Sequence, residues 1–325
     1  MNVIEASGLS KRFGGIEAVD GLDLEVEEGE VFGLLGPNGA GKTTTIRIIT
    51  GQTAPNSGRT LIFGFDVARE PAAAKRRIGL VPEASNIYDE LSAFDNLVFA
   101  AQLYGVPRGE RGERARRLLD QVGLSDRAGD RAGSFSRGMK RRLTIAAALV
   151  HEPGLLVMDE PTTGLDVQSA RVVRRIVEEL NRHGTTVLLT THYIEEADQL
   201  CRRVAIMNEG KITACDTPEG LKAALDERHA VGVSFATSAD LEAKLGGLAG
   251  VTGVTRIGGK YRLYVEAVSE CVESIVAFAR DNGLRIVSLD TLRPSLEDAF
   301  VRLTGLSSEA LAAEKEARKR GGDAG

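Results

Sequence analysis

A glycine-rich segment that directly follows a short apolar run constrains this chain more than any other feature. The run spans residues 31–35, and the segment reads Gly36-Pro37-Asn38-Gly39-Ala40-Gly41-Lys42-Thr43-Thr44. It matches the pattern G-x-x-x-x-G-K-[ST], between a predicted strand and a helix predicted for residues 44–49, which is the context of a phosphate-binding loop. In such a loop backbone N–H groups point at phosphate oxygens, Lys42 reaches the β- and γ-phosphates, and the Thr43 hydroxyl binds Mg²⁺. The alternative is a plain strand-to-helix turn with an exposed lysine.

A second apolar run ends in two adjacent acids. Residues 155–158 predict a buried strand, and Asp159 and Glu160 follow at its carboxyl end, the edge where open α/β sheets bind ligands. Asp159 suits water-mediated coordination of Mg²⁺, and Glu160 is suited to orient or deprotonate the water that attacks a γ-phosphate. Read alone, the two acids could equally begin a surface loop.

Composition sets the broad class. The chain has 325 residues, a formal net charge of −5, 42% hydrophobic and 27% charged residues, which is typical of a folded globular protein of about two domains. The acidic balance argues against a general nucleic-acid binder. We expect neither a membrane-crossing segment, which needs about 20 apolar residues, nor a secretion signal. The three scattered cysteines form no CxxC pair, so a reducing cytosol is favoured.

The order of predicted elements divides the chain into three parts. Over about residues 1–225, buried strands alternate with amphipathic helices, which predicts an α/β fold with a mixed sheet whose antiparallel strands, residues 3–9 and 22–26, lie at its N-terminal edge. Residues 226–305 predict the order β-α-β-β-α-β, an α+β domain of the ferredoxin-like pattern. This reading places a turn at 258–259 and a further helix at 294–304. Residues 306–325, rich in Ala, Glu, Lys and Arg, predict an exposed or frayed helix.

Several ordered motifs together resemble one family, the ATP-binding cassette (ABC) ATPases. The run Asp159-Glu160-Pro161-Thr162-Thr163-Gly164-Leu165-Asp166 looks like its Walker B and D-loop, and Thr190-Thr191-His192 matches its switch histidine. Ser136-Arg137-Gly138-Met139 stands where the family keeps its signature motif, and Phe13 where it stacks an aromatic ring on adenine. The resemblance covers about residues 1–225 and implies ATP and Mg²⁺ as ligands.

The resemblance also implies a shared site. ABC domains pair head to tail, with ATP between the phosphate loop of one copy and the signature of the other. Ser136 and the Gly138 N–H would then approach the γ-phosphate from the partner copy, with Asp166 nearby in the D-loop. His192 would hydrogen-bond that phosphate and hold Glu160; the alternative is a surface histidine at a strand end. For Phe13 the alternative is a core aromatic between edge strands.

Two positions depart from the family pattern. The commonest signature reads L-S-G-G-Q, whereas Arg137 and Met139 stand in this chain; they are similar to variants of the drug, lipid and polysaccharide exporter branch, so we expect a working site. Glu83 occupies the position where most ABC domains place Gln. It could bind Mg²⁺ and contact the attacking water with an added negative charge, or be a loop residue outside the site.

Helical patterns at residues 91–104 and 111–122 fall within an inserted helical subdomain, about residues 84–150. In the family this subdomain grips the membrane subunits, and Ile87, Tyr88 and Leu91 are our candidates for the groove. Two basic clusters, residues 108–117 and Lys140-Arg141-Arg142, are interpreted as solvated helix faces rather than as a nucleic-acid surface.

The C-terminal part resembles the tail of daunorubicin-resistance-type exporter ATPases. It carries no catalytic constellation, and stabilising an ATPase dimer, contacting a membrane partner and binding a regulator remain open, the first being favoured. The sequence therefore predicts a cytoplasmic ATPase subunit of an ABC exporter, peripheral on the membrane, which homodimerises on ATP and binds a separately encoded permease. The alternatives are a soluble ABC ATPase of translation or DNA maintenance and a non-hydrolysing regulatory module.

Overall fold

The computed structural model describes residues 1–224, 229–237, 239–257, 259–292 and 295–305. They form two compact units: the larger comprises Met1–Pro218 and takes up the chain again at Leu303, and the smaller comprises Glu219–Arg302. Within these ranges no helix combines the length and the apolar character that crossing a bilayer requires.

The larger unit alternates strands and helices. Its strands are β1 (Asn2–Phe13), β2 (Ile16–Glu27), β3 (Val31–Leu35), β4 (Ser57–Ile62), β5 (Phe65–Asp66), β6 (Ile78–Val81), β7 (Leu155–Asp159), β8 (Thr186–Thr191), β9 (Arg203–Asn208) and β10 (Lys211–Asp216). Its helices are α1 (Lys42–Ile49), α2 (Pro71–Lys75), α3 (Ala93–Leu103), α4 (Arg108–Gln121), α5 (Arg137–Ala148), α6 (Val167–Arg182) and α7 (Ile194–Leu200), and 3-10 turns lie at Ser125–Arg127 and Ala132–Ser134.

A six-stranded sheet forms the framework of this unit, in the order β10-β9-β3-β8-β7-β6. All neighbouring pairs are parallel except β10 with β9. The residues of β3, β7 and β8 are all buried, because crossover helices cover both faces of a parallel sheet. The predicted mixed sheet is confirmed, and the carboxyl ends of β3, β6, β7, β8 and β9 meet at one edge.

The N-terminal strands lie elsewhere than predicted. β1 and β2 belong to a separate antiparallel sheet of order β2-β1-β4-β5, so placing them at an edge of the mixed sheet was wrong. The reason is that β3 already pairs with β8 on one side and β9 on the other, so β2 cannot pair with β3, the strand that follows it in the chain. Instead, the apolar faces of β1 and β2 share one core with α1 and β3.

Three helices follow the loop after β6. The helices predicted for 91–104 and 111–122 correspond to α3 and α4. Ser92 caps α3, since its hydroxyl accepts a hydrogen bond from Asp95 N at 3.0 Å, and Ser136 caps α5 in the same way through Met139 N at 3.2 Å. Such caps satisfy N–H groups that have no partner within the helix, so a serine side chain determines where each of the two helices begins.

The smaller unit has the predicted order β-α-β-β-α-β. Its elements are α8 (Pro218–Ala223), which begins at its boundary, β11 (His229–Phe235), α9 (Glu242–Gly246), β12 (Val251–Ile257), β13 (Lys260–Val265), α10 (Val268–Asp281), β14 (Ile286–Leu292) and α11 (Leu296–Thr304). The antiparallel sheet runs β12-β13-β11-β14. The ferredoxin-like expectation is confirmed in its order. Residue 258 of the predicted turn, residue 294 at the start of the last predicted helix and the tail 306–325 lie outside the described residues.

Candidate functional site

A cavity of about 440 Å³ opens at the carboxyl edge of the six-stranded sheet, within the size range of small-molecule sites. Residues that follow β3, β6, β7, β8 and β9 all contribute to it. Its lining comprises Ile16, Glu17, Ala18, Asn38, Gly39, Gly41, Lys42, Thr43, Thr44, Glu83, Glu160, Thr163, His192 and Glu209. The structure thus brings together the phosphate loop, Glu83, Glu160 and His192, although they are far apart in the sequence.

The glycine-rich loop depends on backbone conformations that only glycine adopts freely. Gly39 has φ +80° and Gly41, the residue before α1, has φ +105°. A Cβ at Gly41 would overlap the carbonyl oxygen of Ala18. The loop can therefore turn tightly into α1 and leave N–H groups at the helix start exposed to an anion.

Lys42 folds back over this loop. Its Nζ donates hydrogen bonds to Gly36 O at 2.7 Å and Pro37 O at 3.1 Å, and it lies 3.4 Å from Glu160 Oε1. A buried ammonium needs such partners. Gly36, Pro37 and Ala40 do not line the cavity themselves; the first two hold Lys42 at its wall.

Asp159 ends β7 and is buried among hydroxyls. Its Oδ1 accepts hydrogen bonds from Thr190 Oγ1 at 2.6 Å and from Thr43 Oγ1 at 3.3 Å. Glu83 lines the same cavity. Carboxylate and hydroxyl oxygens are the donors that Mg²⁺ prefers, so the donor set of Thr43, Asp159 and Glu83 fits this ion.

Several neighbouring groups hold Glu160 in place. It has φ +47°, is 8% exposed, and its N–H donates to Thr190 Oγ1 at 3.0 Å. Its Oε2 lies 2.6 Å from His192 Nδ1 and accepts from Thr163 Oγ1 at 3.0 Å. Burial alone would raise the pKa of this carboxyl, but His192, Lys42 and Thr163 together lower it below its usual value. The carboxylate is therefore ionised at neutral pH.

His192 follows β8 and is 11% exposed on its side chain. Its ring contacts Tyr193 at a centroid distance of 4.1 Å. This environment contradicts the alternative of a solvated surface histidine. The Nδ1 contact instead gives the carboxylate a fixed orientation.

Ser136, Gly138 and Asp166 lie outside this cavity and form a second group at the starts of α5 and α6. Asp166 accepts from Ser169 N at 2.8 Å and from Ser169 Oγ at 2.6 Å, and these hydrogen bonds lower the pKa of Asp166. Gly138 packs so closely on α6 that a Cβ there would lie 2.7 Å from Ser169 Cβ. Of the residues predicted to bind nucleotide, these three do not meet the phosphate loop within one chain.

Phe13 is 52% exposed at the end of β1 and is not among the residues that line the cavity. Its register partner on β2 is Ile16, which does line it. The core-aromatic alternative is contradicted by this exposure. The place of Phe13 beside an adenine stays a prediction.

Three contributors were missed from the sequence. Thr163 donates a hydrogen bond to the Glu160 carboxylate, and Thr190 donates to Asp159 and accepts from the Glu160 N–H. The sequence signal that could have identified them is that their hydroxyls lie close to the acidic motif or at the end of the neighbouring strand. The third is Arg141, which is 6% exposed, so its interpretation as part of a solvated basic face was wrong. Helical position alone did not reveal which of three consecutive basic residues points inward.

Comparison with known proteins agrees with this geometry. The family model described as ABC transporter matches residues 19–163. The linearmycin resistance ATP-binding protein LnrL of Bacillus subtilis (strain 168) is 40% identical over 307 residues, which is 93% of this chain and 98% of the relative.

The chain belongs to the ABC transporter ATP-binding family.

Further relatives support this membership. The daunorubicin/doxorubicin resistance ATP-binding protein DrrA of Streptomyces peucetius is 39% identical over 97% of this chain and 96% of its own length. Among solved structures, the dimeric ATP-binding cassette MJ0796 bound to ADP and Pi superposes with a TM-score of 0.60 at 26% identity, covering 66% of this chain and 98% of that one. As an ABC ATP-binding subunit, the chain binds ATP, and the cavity beside the phosphate loop is our candidate for that site.

Proposed function

We propose that this ABC subunit hydrolyses ATP and thereby powers an exporter through a separately encoded membrane permease. The observation that carries the proposal is the buried Glu160 carboxylate, fixed 2.6 Å from His192 Nδ1 and facing the cavity that the phosphate loop lines. A general base has to be ionised, oriented and close to the reacting water. Glu160 fulfils the first two conditions within the folded chain.

The phosphate loop would bind the nucleotide. Its N–H groups at the start of α1 and the Lys42 ammonium carry positive charge, which suits the β- and γ-phosphates. Thr43, Asp159 and Glu83 would hold Mg²⁺, which neutralises charge on the phosphates when bound. Phe13 would stack on the adenine from the β1 end.

Glu160 would orient the water that attacks the γ-phosphate and accept its proton, after which the products are ADP and inorganic phosphate. His192 and Thr163 keep the carboxylate turned toward the cavity. Their hydrogen bonds also keep it ionised despite burial, which would otherwise favour the neutral form. This arrangement argues for a hydrolysing subunit over a regulatory module.

The second group of residues supports a site completed by another copy. Ser136, Gly138 and Asp166 lie at two helix N-termini, where partial positive charge attracts anions, yet they are outside the cavity of their own chain. A head-to-tail dimer would bring them to the γ-phosphate bound by a second copy. Solved structures of the related cassette MJ0796 are dimeric.

The names of the relatives support a role in export. They include daunorubicin resistance ATP-binding proteins and Nod factor export ATP-binding proteins, so we place this subunit at the cytoplasmic face of the cell membrane, bound to a permease near Tyr88. The basic residues of α4 argue against binding to nucleic acid, because Arg114 and Arg117 form ion pairs with Glu110 and Glu152.

For residues 226–305 we propose the role of an accessory domain that stabilises the dimer.

The test uses the tagged Glu160→Gln variant, which should bind ATP and remain in the ATP state. Light scattering should show the molar mass doubling from 34.7 kDa on addition of ATP, and mass spectrometry should find a stoichiometric multi-span protein in detergent-solubilised membranes of the native host. Glu178→Gln, on the exposed face of α6, is the matched control. Ribosomes or DNA-bound factors in place of a membrane protein would favour the soluble ATPase instead.

A further inference from the structure

Arg141 lies in the second turn of α5 and points into the protein. Its guanidinium donates four hydrogen bonds, all to backbone carbonyl oxygens. Nε donates to Pro161 O at 2.8 Å, Nη2 to Asp159 O at 2.8 Å, and Nη1 to Pro82 O and, at 3.4 Å, to Glu83 O. A planar guanidinium offers five N–H groups in a rigid fork, so one side chain joins three segments: α5 itself, residues 159–161 and the loop after β6.

Two of these carbonyls flank Glu160 directly. Glu160 has φ +47°, a left-handed conformation that is unfavourable for a non-glycine residue and persists only where its surroundings enforce it. Arg141 holds the carbonyls of Asp159 and Pro161, one on each side, while Thr190 Oγ1 accepts from the Glu160 N–H. The direction in which the Glu160 side chain leaves the backbone is therefore fixed by these contacts.

The third segment is the loop after β6, where Arg141 meets the carbonyls of Pro82 and Glu83. The Glu83 side chain lines the cavity that also contains Glu160. A rotation of α5, the helix that Ser136 caps, would move Arg141 and with it both acidic positions. The contacts thus connect the start of the signature helix to the two acids of the site.

The charge of Arg141 suits this role. Burial lowers its pKa to about 10, against the opposing effect of Asp159, Glu196, Glu83 and Glu160, which favour the charged form. The guanidinium stays cationic at neutral pH. Hydrogen bonds from a charged donor are about twice as strong as neutral ones, and four carbonyl partners compensate for its removal from water.

We propose that Arg141 is a positioning residue for ATP hydrolysis, which fixes the backbone on both sides of Glu160 and keeps the Glu83 loop in register with it. The inference rests on the proposed function, because it takes Glu160 as the base. Arg141 itself touches neither the nucleotide loop nor the Glu160 carboxylate. Its effect is exerted through the carbonyls that it holds.

The neighbouring Arg142 provides a matched control. It is a half-buried arginine on the same helix that also binds two backbone carbonyls, Val122 O at 2.8 Å and Gly123 O at 2.9 Å. These carbonyls lie at the end of α4, outside the cavity lining. Substitutions at Arg142 therefore remove the same kind of contact without touching the segment around Glu160.

The experiment compares Arg141→Lys and Arg141→Gln with Arg142→Lys and Arg142→Gln in the full-length chain. Lysine keeps the charge but loses the planar fork. For each variant, thermal unfolding, the Kd for ATP, kcat for phosphate release and the ATP-to-ADP ratio of bound nucleotide are measured. For the Arg141 variants we expect kcat to fall about 10- to 100-fold, as for a displaced catalytic group, with Kd changed by less than about threefold and bound nucleotide shifted toward ATP.

The Arg142 variants should keep kcat within about threefold of the wild type even where they lower the unfolding temperature. The proposal is overturned if folded Arg141 variants keep wild-type kcat, if the Arg142 variants lose as much, or if both Arg141 variants fail to fold while the Arg142 variants fold. A wild-type chain without turnover would overturn the proposed function as well. Normal wild-type turnover with unaffected Arg141 variants would overturn only the role of Arg141.

Discussion

Replacing His192 by alanine removes the 2.6 Å contact between its Nδ1 and Glu160 Oε2. A hydrogen bond to a charged group contributes about 1.5–3 kcal/mol, and each 1.36 kcal/mol corresponds to about tenfold in rate. We therefore expect kcat to fall about 10- to 150-fold. Thr163 still holds the same oxygen at 3.0 Å, so the carboxylate remains in the site and the loss stays below that of removing it.

The pH dependence adds a second, independent expectation. Burial raises the pKa of Glu160, and the hydrogen bond from His192 is the largest of the effects that lower it. Without His192 the pKa of Glu160 rises. Because the base acts in its ionised form, the acid limb of the kcat profile moves to higher pH, and the defect grows as the pH falls.

The assay is phosphate release at saturating ATP between about pH 5 and 9. His183→Ala is the control, since His183 is exposed just after α6 and its Nδ1 lies 2.7 Å from the carbonyl oxygen of Glu179, away from the cavity lining. If the His192 variant kept the wild-type kcat and an unshifted acid limb, the role of His192 in holding and ionising Glu160 would be refuted.

Two other substitutions test the loop and the second group of residues. Lys42→Ala should weaken ATP binding at least tenfold in calorimetric titration, since a charge-assisted contact to phosphate contributes about 1.5–3 kcal/mol; unchanged affinity would contradict the role of Lys42. Gly138→Ala should lower the free energy of unfolding by about 1–3 kcal/mol in urea titrations, because the added Cβ overlaps Ser169. The same substitution should cost less in a Ser169→Gly background, where the overlapping atoms are gone, and an equal cost in both backgrounds would contradict the steric account.

The phosphate loop could be predicted because its geometry is local. The order of glycines, Lys42 and Thr43 between a strand and a helix leaves few alternative conformations. The carboxyl end of β7 was predictable for a similar reason, since a buried apolar run ending in two acids places them at the ligand edge of the sheet. In both cases the motif and the part of the site that it forms consist of the same few consecutive residues.

The support of the site was not predictable in the same way. Lys140, Arg141 and Arg142 are consecutive on α5, yet they point to Asp89, to the segment around Glu160, and to the end of α4, respectively. Successive helical residues are rotated by about 100°, so the three side chains point in different directions. Which of them faces inward depends on how α5 packs against β6 and α6, long-range contacts that the local pattern does not contain.

The prediction of which strands belong to which sheet was wrong for a related reason. The alternation in β1 and β2 correctly indicated antiparallel strands with one buried face. Their sheet could not be assigned, because β3 takes β8 and β9 as neighbours only through crossovers that lie far along the chain. Pairing partners are set by topology, and the hydrophobic pattern sets only which face is buried.

The most direct test of hydrolysis at Glu160 measures ATP occupancy and phosphate release on the same samples of wild type, Glu160→Gln and the surface control Glu178→Gln. We predict ATP occupancy in Glu160→Gln at least as high as in the other two, steady phosphate release by the wild type and the control, and release at least about 100-fold slower in Glu160→Gln, as general base catalysis requires. Phosphate release by Glu160→Gln at the wild-type rate would contradict the assignment of Glu160 as the base.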